Sequence, residues 1–305
     1  MYNAFLYLIT VLIWGSTWLA IKFQLGVVSP ELSIAYRFGL AASILIIFSL
    51  VRRLPMRYSL KTHGFFALQG FLLFSLNYIL VYLAEGYLTS GLVAIIFSLI
   101  IISNVIFGTI FLNNPIRSKV VIGALFGLGG LAFVFWPELS SFDLSSQKVL
   151  GMGLAFISMI SASLGNVVSA RNQRHALPVI QTNAYGMLYG AIFMFLLAIF
   201  RGSQLEFDSS ASYVIALFYL AIFGSVIAFG SYLTLLGRIG LDRAAYVTVL
   251  FPIIALLLST WFEGLQWSLV QLVGVGLVLL GNAVVLSKNG SIKFLKRFER
   301  KSMTS

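Results

Sequence analysis

The residues best suited to chemistry near the start of the chain lie together inside its first long apolar run. They read Ile-Trp-Gly-Ser-Thr-Trp-Leu-Ala-Ile-Lys and end at Lys22. Small residues let another helix approach closely, and the hydroxyls of Ser16 and Thr17 can bond across such a contact or face a cavity. Trp14 and Trp18 are one helical turn apart in mid-run, where their indole N–H groups need acceptors from the protein. The pattern predicts an inward-facing helix wall beside a polar path.

A second candidate is Arg37, about two turns into the next apolar run. An arginine facing lipid would cost roughly 2.5 kcal/mol or more, so it must have a partner or extend to the headgroups. Glu31, near the start of the same run, and Glu263, at the end of a later one, are acids that could pair with it. We favour a structural ion pair at the rim of the bundle over a substrate contact.

Other ionisable groups lie at the ends of the apolar runs. Lys22 can extend to the headgroups or form a gate with Glu85, and both interpretations stay open. The two histidines of the chain, His63 and His175, fall in predicted loops. Proton coupling needs an ionisable group within the span, which leaves Glu85 or Glu263 as its carrier, and facilitated exchange is equally open.

Composition decides the class of protein that must position these residues. The chain is 60% hydrophobic and only 10% charged, whereas soluble domains are roughly 25% charged. It is therefore predicted to be an all-α polytopic membrane protein. The net charge of +11 is spread over alternating loops, so it indicates topology and not nucleic-acid binding. With no cysteine, disulfides and thiolate metal sites are excluded, and no metal or cofactor is predicted. The start of the chain resembles a retained first helix and not a cleaved signal peptide.

Ten segments are long enough to cross a bilayer at about 20 residues each. They lie near residues 3–22, 32–51, 63–84, 88–112, 119–136, 148–170, 177–200, 211–236, 242–262 and 266–287. Lysines and arginines concentrate in the even-numbered loops and in the tail 288–305, and most acids lie in the odd-numbered loops. Because basic residues near span ends stay on the cytoplasmic side, both termini are predicted to be cytoplasmic.

An internal repeat accompanies this alternation. Residues 86–135 align with 237–286 without a gap, pairing Gly123 with Gly274 and Gly130 with Gly281. Two homologous halves with five crossings each must be inverted relative to one another, which places a binding site near the midplane between them. We predict two repeats, residues 1–137 and 148–287, joined by an exposed linker. The glycine-rich fifth and tenth spans suit close helix packing, and a homodimer contact through them is left open.

These motifs resemble the drug/metabolite transporter superfamily in its EamA-type branch. The resemblance is carried by the Trp14 to Trp18 motif with Lys22, by Pro30 and Arg37-Phe38, and in the second half by Pro252 to Ser259 and Phe262-Glu263-Gly264. It covers nearly the whole chain. It implies a secondary transporter in the inner membrane, commonly an exporter of metabolites, whose cavity is lined by the first, third, fourth, sixth, eighth and ninth spans.

Polar residues at mid-depth on those spans are the candidate substrate-binding residues. They are Trp14, Ser16, Thr17, Trp18, Asn77, Tyr78, Ser98, Ser161, Ser163, Asn166, Ser225, Tyr232, Tyr246 and Thr248. Any single serine can instead bond to its own helix. Hydroxyls, amides and aromatic rings suit a neutral or zwitterionic organic molecule. Pro252 removes a backbone bond near Thr248 and is a candidate hinge, although a static kink is favoured.

Three other functions compete with this interpretation. An intramembrane enzyme would need paired acids, an activated nucleophile or a histidine cluster, and the sequence contains none of these constellations. A non-transporting accessory subunit requires no site at all. A nucleotide-sugar transporter would favour buried basic residues for the diphosphate, and we predict none at the midplane. The sequence therefore favours alternating-access transport of a small organic metabolite.

Overall fold

The computed structural model describes residues 1–24, 26–88, 93, 96–140, 146–263 and 267–287, without the side chains of 18, 19, 22, 137, 138, 146, 255, 256 and 258–263. The described residues form helices and connecting segments, with no strand among them. The longer helices are α1 Tyr2–Lys22, α2 Pro30–Val51, α3 Leu60–Glu85, α4 Ile100–Leu112, α5 Ser118–Val134, α6 Ser146–Arg174, α7 Val179–Phe200, α8 Ala211–Ile239, α9 Val247–Glu263 and α10 Leu269–Leu286. Leu241–Ala244 and Trp136–Ser140 are short helical turns.

The helices have the length and composition of membrane spans. Six of those described, α2, α3, α6, α7, α8 and α10, are long and apolar enough to cross a bilayer. Within the same described residues, α1, α4 and α5 supply shorter apolar stretches. The chain is thus a polytopic all-α membrane protein, as its composition predicted. The count of ten crossings stays a prediction.

One local prediction was wrong. His63 lies in the first turn of α3 and not in a loop, and its Nδ1 is 2.9 Å from the Tyr189 hydroxyl on α7. The linker predicted between the two halves begins with the helical turn Trp136–Ser140. The tail 288–305 lies outside the described residues.

Helices α3 and α8 each contain a π-helical segment in mid-helix. These segments are Gly70–Leu76 and Leu220–Ile227. A π-helical turn leaves carbonyl groups to be satisfied by side chains. Ser75 donates to the Gly70 carbonyl at 3.1 Å, and Ser225 donates to the Leu220 carbonyl at 3.0 Å. In both helices, therefore, a serine hydroxyl donates to the backbone carbonyl five residues earlier.

Further polar bonds fix the α3 segment against its neighbours. The Ser161 hydroxyl on α6 donates to the Leu72 carbonyl at 2.7 Å. The Ser75 hydroxyl, which has one hydrogen, lies 3.0 Å from the Gly190 carbonyl on α7 and shares that hydrogen between this carbonyl and that of Gly70. The Ser161 side chain of α6 and a backbone carbonyl of α7 thus hold α3 where its backbone bonding is irregular.

Glycines bring α5 and α10 into close contact. A Cβ atom on Gly130 would lie 2.6 Å from the Gly274 carbonyl oxygen, and one on Gly281 would lie 2.7 Å from the Gly123 carbonyl oxygen. Under the repeat alignment, Gly123 corresponds to Gly274 and Gly130 to Gly281. Exchanging the two halves therefore converts one of these contacts into the other, as in a two-fold contact.

Ion pairs and polar bonds mark the two ends of the bundle. At one end, Arg201 after α7 pairs with Glu31 at the start of α2, with Nη1 and Oε1 2.6 Å apart. At the other end, Arg117 pairs with Asp242 at 3.4 Å, and the Arg238 Nε donates to Asn3 at 2.6 Å. We call the latter the basic end.

The contact between α5 and α10 generates a first prediction. Gly130→Ala should destabilise the protein by about 1–3 kcal/mol, because the added methyl group overlaps the backbone of α10. Gly129→Ala is the matched control, since the space beside Gly129 is open, and it should be neutral or slightly stabilising. Thermal unfolding in detergent measures both variants. Equal melting temperatures would contradict this packing.

Candidate functional site

A cavity of about 90 Å³ lies inside the bundle. By the same measure, one water molecule needs about 10–15 Å³. Residues from both sides of the predicted linker form its wall. They are Trp14, Thr17, Ile21, Arg37, Leu73, Asn77, Tyr78, Val81, Phe97, Ile100, Ala162, Asn166, Phe229, Tyr232, Thr248 and Phe251.

Trp14 connects α1 to α8 at this cavity. Its indole Nε1 donates to the Gly224 carbonyl at 3.3 Å, within the π-helical segment of α8. Its ring contacts those of Phe229 and Tyr232, with centroids 5.0 and 4.9 Å apart. The acceptor that a mid-span indole requires is therefore a backbone carbonyl of another helix.

Gly15, next to Trp14, lets α1 approach α9. A Cβ atom there would lie 2.6 Å from Cβ of Ile254. Gly15 and Trp14 thus have separate tasks: Gly15 permits close packing and Trp14 forms part of the cavity wall.

Arg37 extends from α2 into the cavity wall and is 1% exposed. Its Nε donates to the Ser225 hydroxyl at 3.0 Å and its Nη2 to the Tyr78 hydroxyl at 3.4 Å. The guanidinium carbon lies 4.8 Å from the centroid of the Tyr78 ring, within the range of a cation–π contact. The ion pair proposed with Glu31 is not formed, because Glu31 pairs with Arg201.

Two asparagines contribute amides to the wall. Asn77 is held by α6, since the Ser158 hydroxyl donates to its Oδ1 at 2.8 Å, and its Nδ2 donates to the Leu73 carbonyl at 3.2 Å. Asn166 donates from Nδ2 to the Tyr232 hydroxyl at 3.1 Å. In this orientation of the amide, Asn166 Oδ1 is buried without a hydrogen-bond partner.

The threonines of the wall use their hydroxyls locally. Thr17 donates to the Trp14 carbonyl at 2.8 Å, and Thr248 donates to the Ala245 carbonyl at 2.7 Å. These are bonds within a helix or turn, which leave the oxygen lone pairs as acceptors and the methyl groups as apolar surface.

Among the side chains that the structure describes, six of the predicted binding residues are not in the wall of this cavity, and one of them, Ser225, bonds to Arg37. Ser98 donates to the Thr248 carbonyl, Ser161 to the Leu72 carbonyl and Ser163 to Asn104 Oδ1. The Tyr246 hydroxyl donates to the Gly123 carbonyl at the contact of α5 with α10. The Ser16 hydroxyl is 2.5 Å from that of Tyr219, in a separate groove between α1 and α8. These side chains connect helices.

The predicted gate and hinge are described only in part. The side chains of Trp18, Lys22 and Glu263 lie outside the described residues, so the gate of Lys22 with Glu85 stays a prediction. Glu85 is the last residue of α3. Pro252 lies inside the continuous helix α9.

The apolar residues of the wall were not among the binding residues predicted from the sequence, which were chosen for their polar groups. Their spacing along the helices nevertheless indicates that they line the cavity. Trp14, Thr17 and Ile21 follow helical spacing on α1, and Leu73, Asn77 and Val81 do so on α3. On each helix, a polar residue thus identifies the face that lines the cavity, and the residues three or four positions away lie on the same face. Phe97, Phe229 and Phe251 are the aromatic members that were missed.

Comparison with known proteins identifies the family. The model described as the EamA-like transporter family matches residues 1–136 and 149–287. The chain belongs to this family. Among its relatives, the uncharacterized inner membrane transporter YedA of Escherichia coli K12 is 29% identical over 287 residues, covering 93% of this chain and 89% of YedA. An uncharacterized transporter of Buchnera aphidicola subsp. Schizaphis graminum is 27% identical over 252 residues, covering 82% of each chain.

A solved crystal structure shares the fold of this EamA-family chain. It superposes with a TM-score of 0.76 and covers 99% of both chains at 21% sequence identity. The family and the names of these relatives indicate a transporter and not an enzyme.

Single cysteines test the cavity, because the natural chain contains none. Thr17→Cys should react with a water-soluble methanethiosulfonate reagent, since Thr17 lines the cavity. Thr10→Cys is the matched control: Thr10 lies two turns earlier on α1, is fully buried and bonds to the Leu6 carbonyl. Mass spectrometry of the native protein measures labelling. Labelling of position 10 as fast as position 17 would contradict the assignment.

Proposed function

We propose that the chain is a secondary transporter, active or facilitative, that moves small amino-acid-like or neutral metabolites across the cytoplasmic membrane by alternating access, as an exporter. The observation that carries the proposal is the cavity itself. Its wall combines α1 to α4 with α6, α8 and α9. A cavity between two halves, lined by aromatic rings and a few polar groups, suits a small organic molecule.

Equivalent features in the two halves support alternating access. The π-helical segments of α3 and α8 have Ser75 and Ser225 in matching roles. The α3 segment contributes Leu73 to the cavity wall, and the α8 segment accepts the hydrogen bond of the wall residue Trp14. The glycine contacts of α5 with α10 also exchange under the repeat alignment. In an inverted repeat, one half can take the conformation of the other, which opens the cavity to opposite sides in turn. We assign the two repeats to residues 1–137 and 148–287 on this basis.

The basic end supports a cytoplasmic location of both termini. Arg117 and Arg238 lie there with Asn3 of α1, and Lys119 contacts Ser287 after α10. Arg174 donates to the Leu112 carbonyl at 2.6 Å and so joins α4 to α6 at this end.

The other functions receive less support. A nucleotide sugar requires several cations for its diphosphate, whereas Arg37 is the one charged residue among the described residues of the wall. An accessory subunit would not need a lined cavity. Gly130 and Gly281 pack within the chain, and the homodimer contact stays a prediction.

Reconstitution into sealed liposomes tests transport. A counterflow assay with a panel of amino acids and neutral metabolites should show uptake above empty liposomes for at least one solute. Ala162→Phe should abolish this uptake, because its ring would fill the cavity, at a folding cost of about 1–3 kcal/mol. Ala20→Phe, in the groove between α1 and α8, is the control and should retain uptake.

Two outcomes would contradict the proposal. One is the absence of flux for every solute in the panel with protein whose folding is verified by its melting transition. The other is wild-type flux in Ala162→Phe.

A further inference from the structure

The guanidinium group of Arg37 is incompletely bonded. It carries five N–H donors, and the bonds to Ser225 and Tyr78 use two of them. Nη1 is buried without a hydrogen-bond partner, although the side chain lines the cavity and is only 1% exposed. A buried, unpaired donor on a charged group is costly, so it indicates a group that is supplied from elsewhere.

In the part of the chain that the structure describes, no carboxylate lies within ion-pair distance of Arg37. Glu31, which shares α2 with Arg37, is bonded to Arg201, and Asp242 is bonded to Arg117. The orientation of Arg37 is instead fixed by neutral groups, the Ser225 hydroxyl and the face of the Tyr78 ring.

Gly224 makes room for this arrangement. A Cβ atom on Gly224 would lie 3.1 Å from Nη2 of Arg37 and 3.0 Å from Cγ2 of Thr17. The guanidinium group therefore packs against the backbone of α8 next to the carbonyl that Trp14 binds. The cation is positioned by three helices, α2, α3 and α8, near the middle of α8.

We propose that Arg37 binds the carboxylate of the transported substrate. This inference rests on the proposed function and names its substrate class: an amphipathic organic acid with a single carboxylate. A carboxylate accepts from the guanidinium edge in the strong, charge-assisted geometry that arginine favours. One cation matches one negative charge.

The other wall residues indicate which groups the ligand carries besides its carboxylate. The ring of Trp14 contacts those of Phe229 and Tyr232, and the three rings offer an apolar surface. Asn166 Oδ1, buried and unpaired beside Tyr232, is an acceptor for an ammonium or hydroxyl group. An acid with a small apolar side group and one further donor therefore satisfies both unpaired groups of the cavity.

Matched acid and amide probes test the inference on the full chain in detergent. The probes are phenylalanine, leucine and alanine, each compared with its own amide, which replaces the carboxylate and keeps the ammonium group. We expect at least one acid to raise the melting temperature, with its amide requiring about ten- to a hundredfold higher concentration for the same shift, as the loss of a charged hydrogen bond predicts.

Variants connect the preference to Arg37. Arg37→Gln should bind acid and amide alike, and Arg37→Lys should prefer the acid with lower affinity, because it keeps the charge without the planar fork. Arg238→Gln removes an exposed arginine at the basic end and should retain the wild-type preference. Arg37→Lys also serves if Arg37→Gln fails to fold.

The outcomes separate the inference from the proposed function. Equal binding of acid and amide by the wild type, no stabilisation by any of the three acids, an unchanged acid preference in Arg37→Gln, or an unchanged acid affinity in Arg37→Lys would overturn the assignment of Arg37. Flux of a neutral solute in liposomes without acid preference would leave transport intact and remove this inference. Acid binding that depends on Arg37, found without flux of any solute, would support the assignment of Arg37 and contradict the proposed transport.

Discussion

Polar groups inside a membrane-spanning bundle must find their partners within the protein, and the centre of this molecule depends on that constraint. The π-helical segments of α3 and α8 place backbone carbonyls where ordinary helix bonding does not satisfy them. Ser75, Ser225 and Trp14 bond to such carbonyls. Each of these bonds also fixes the position of a side chain. The same hydrogen bonds therefore satisfy the backbone and help to shape the cavity.

The same constraint explains why polar residues divide into two groups. Ser98, Ser161 and Ser163 donate to acceptors on neighbouring elements and hold them together. Arg37 and Asn166 keep one unpaired atom each at the cavity. The first group completes its hydrogen bonds within the fold, whereas the second has bonding capacity left for a solute. In a transporter, this difference separates structural from substrate-binding polar groups more clearly than residue type does.

Membership of the EamA-like transporter family fits an architecture in which packing and binding use different surfaces. Glycines of α5 and α10 bring these two helices into close contact. The aromatic residues of α1, α3 and α8 meet instead around the cavity, for example Trp14 with Phe229 and Tyr78 with Phe229. Tightly packed helices beside helices with irregular backbone bonding are a physical basis for moving one part of the bundle against another.

The sequence alone determined the membrane class and the approximate helix bounds, because these follow from hydropathy and residue spacing along one chain. It also indicated Trp14, Asn77, Tyr78, Asn166 and Tyr232 as polar groups at mid-depth. Only the tertiary structure decided which of the candidates share a cavity, because that depends on how each helix is rotated against its neighbours. It placed Tyr246 between glycines, paired Glu31 with Arg201 and left Arg37 beside the hydroxyl groups of Ser225 and Tyr78. Contacts between residues as far apart as Arg37 and Ser225 are set by the packing of several helices, which no local pattern encodes.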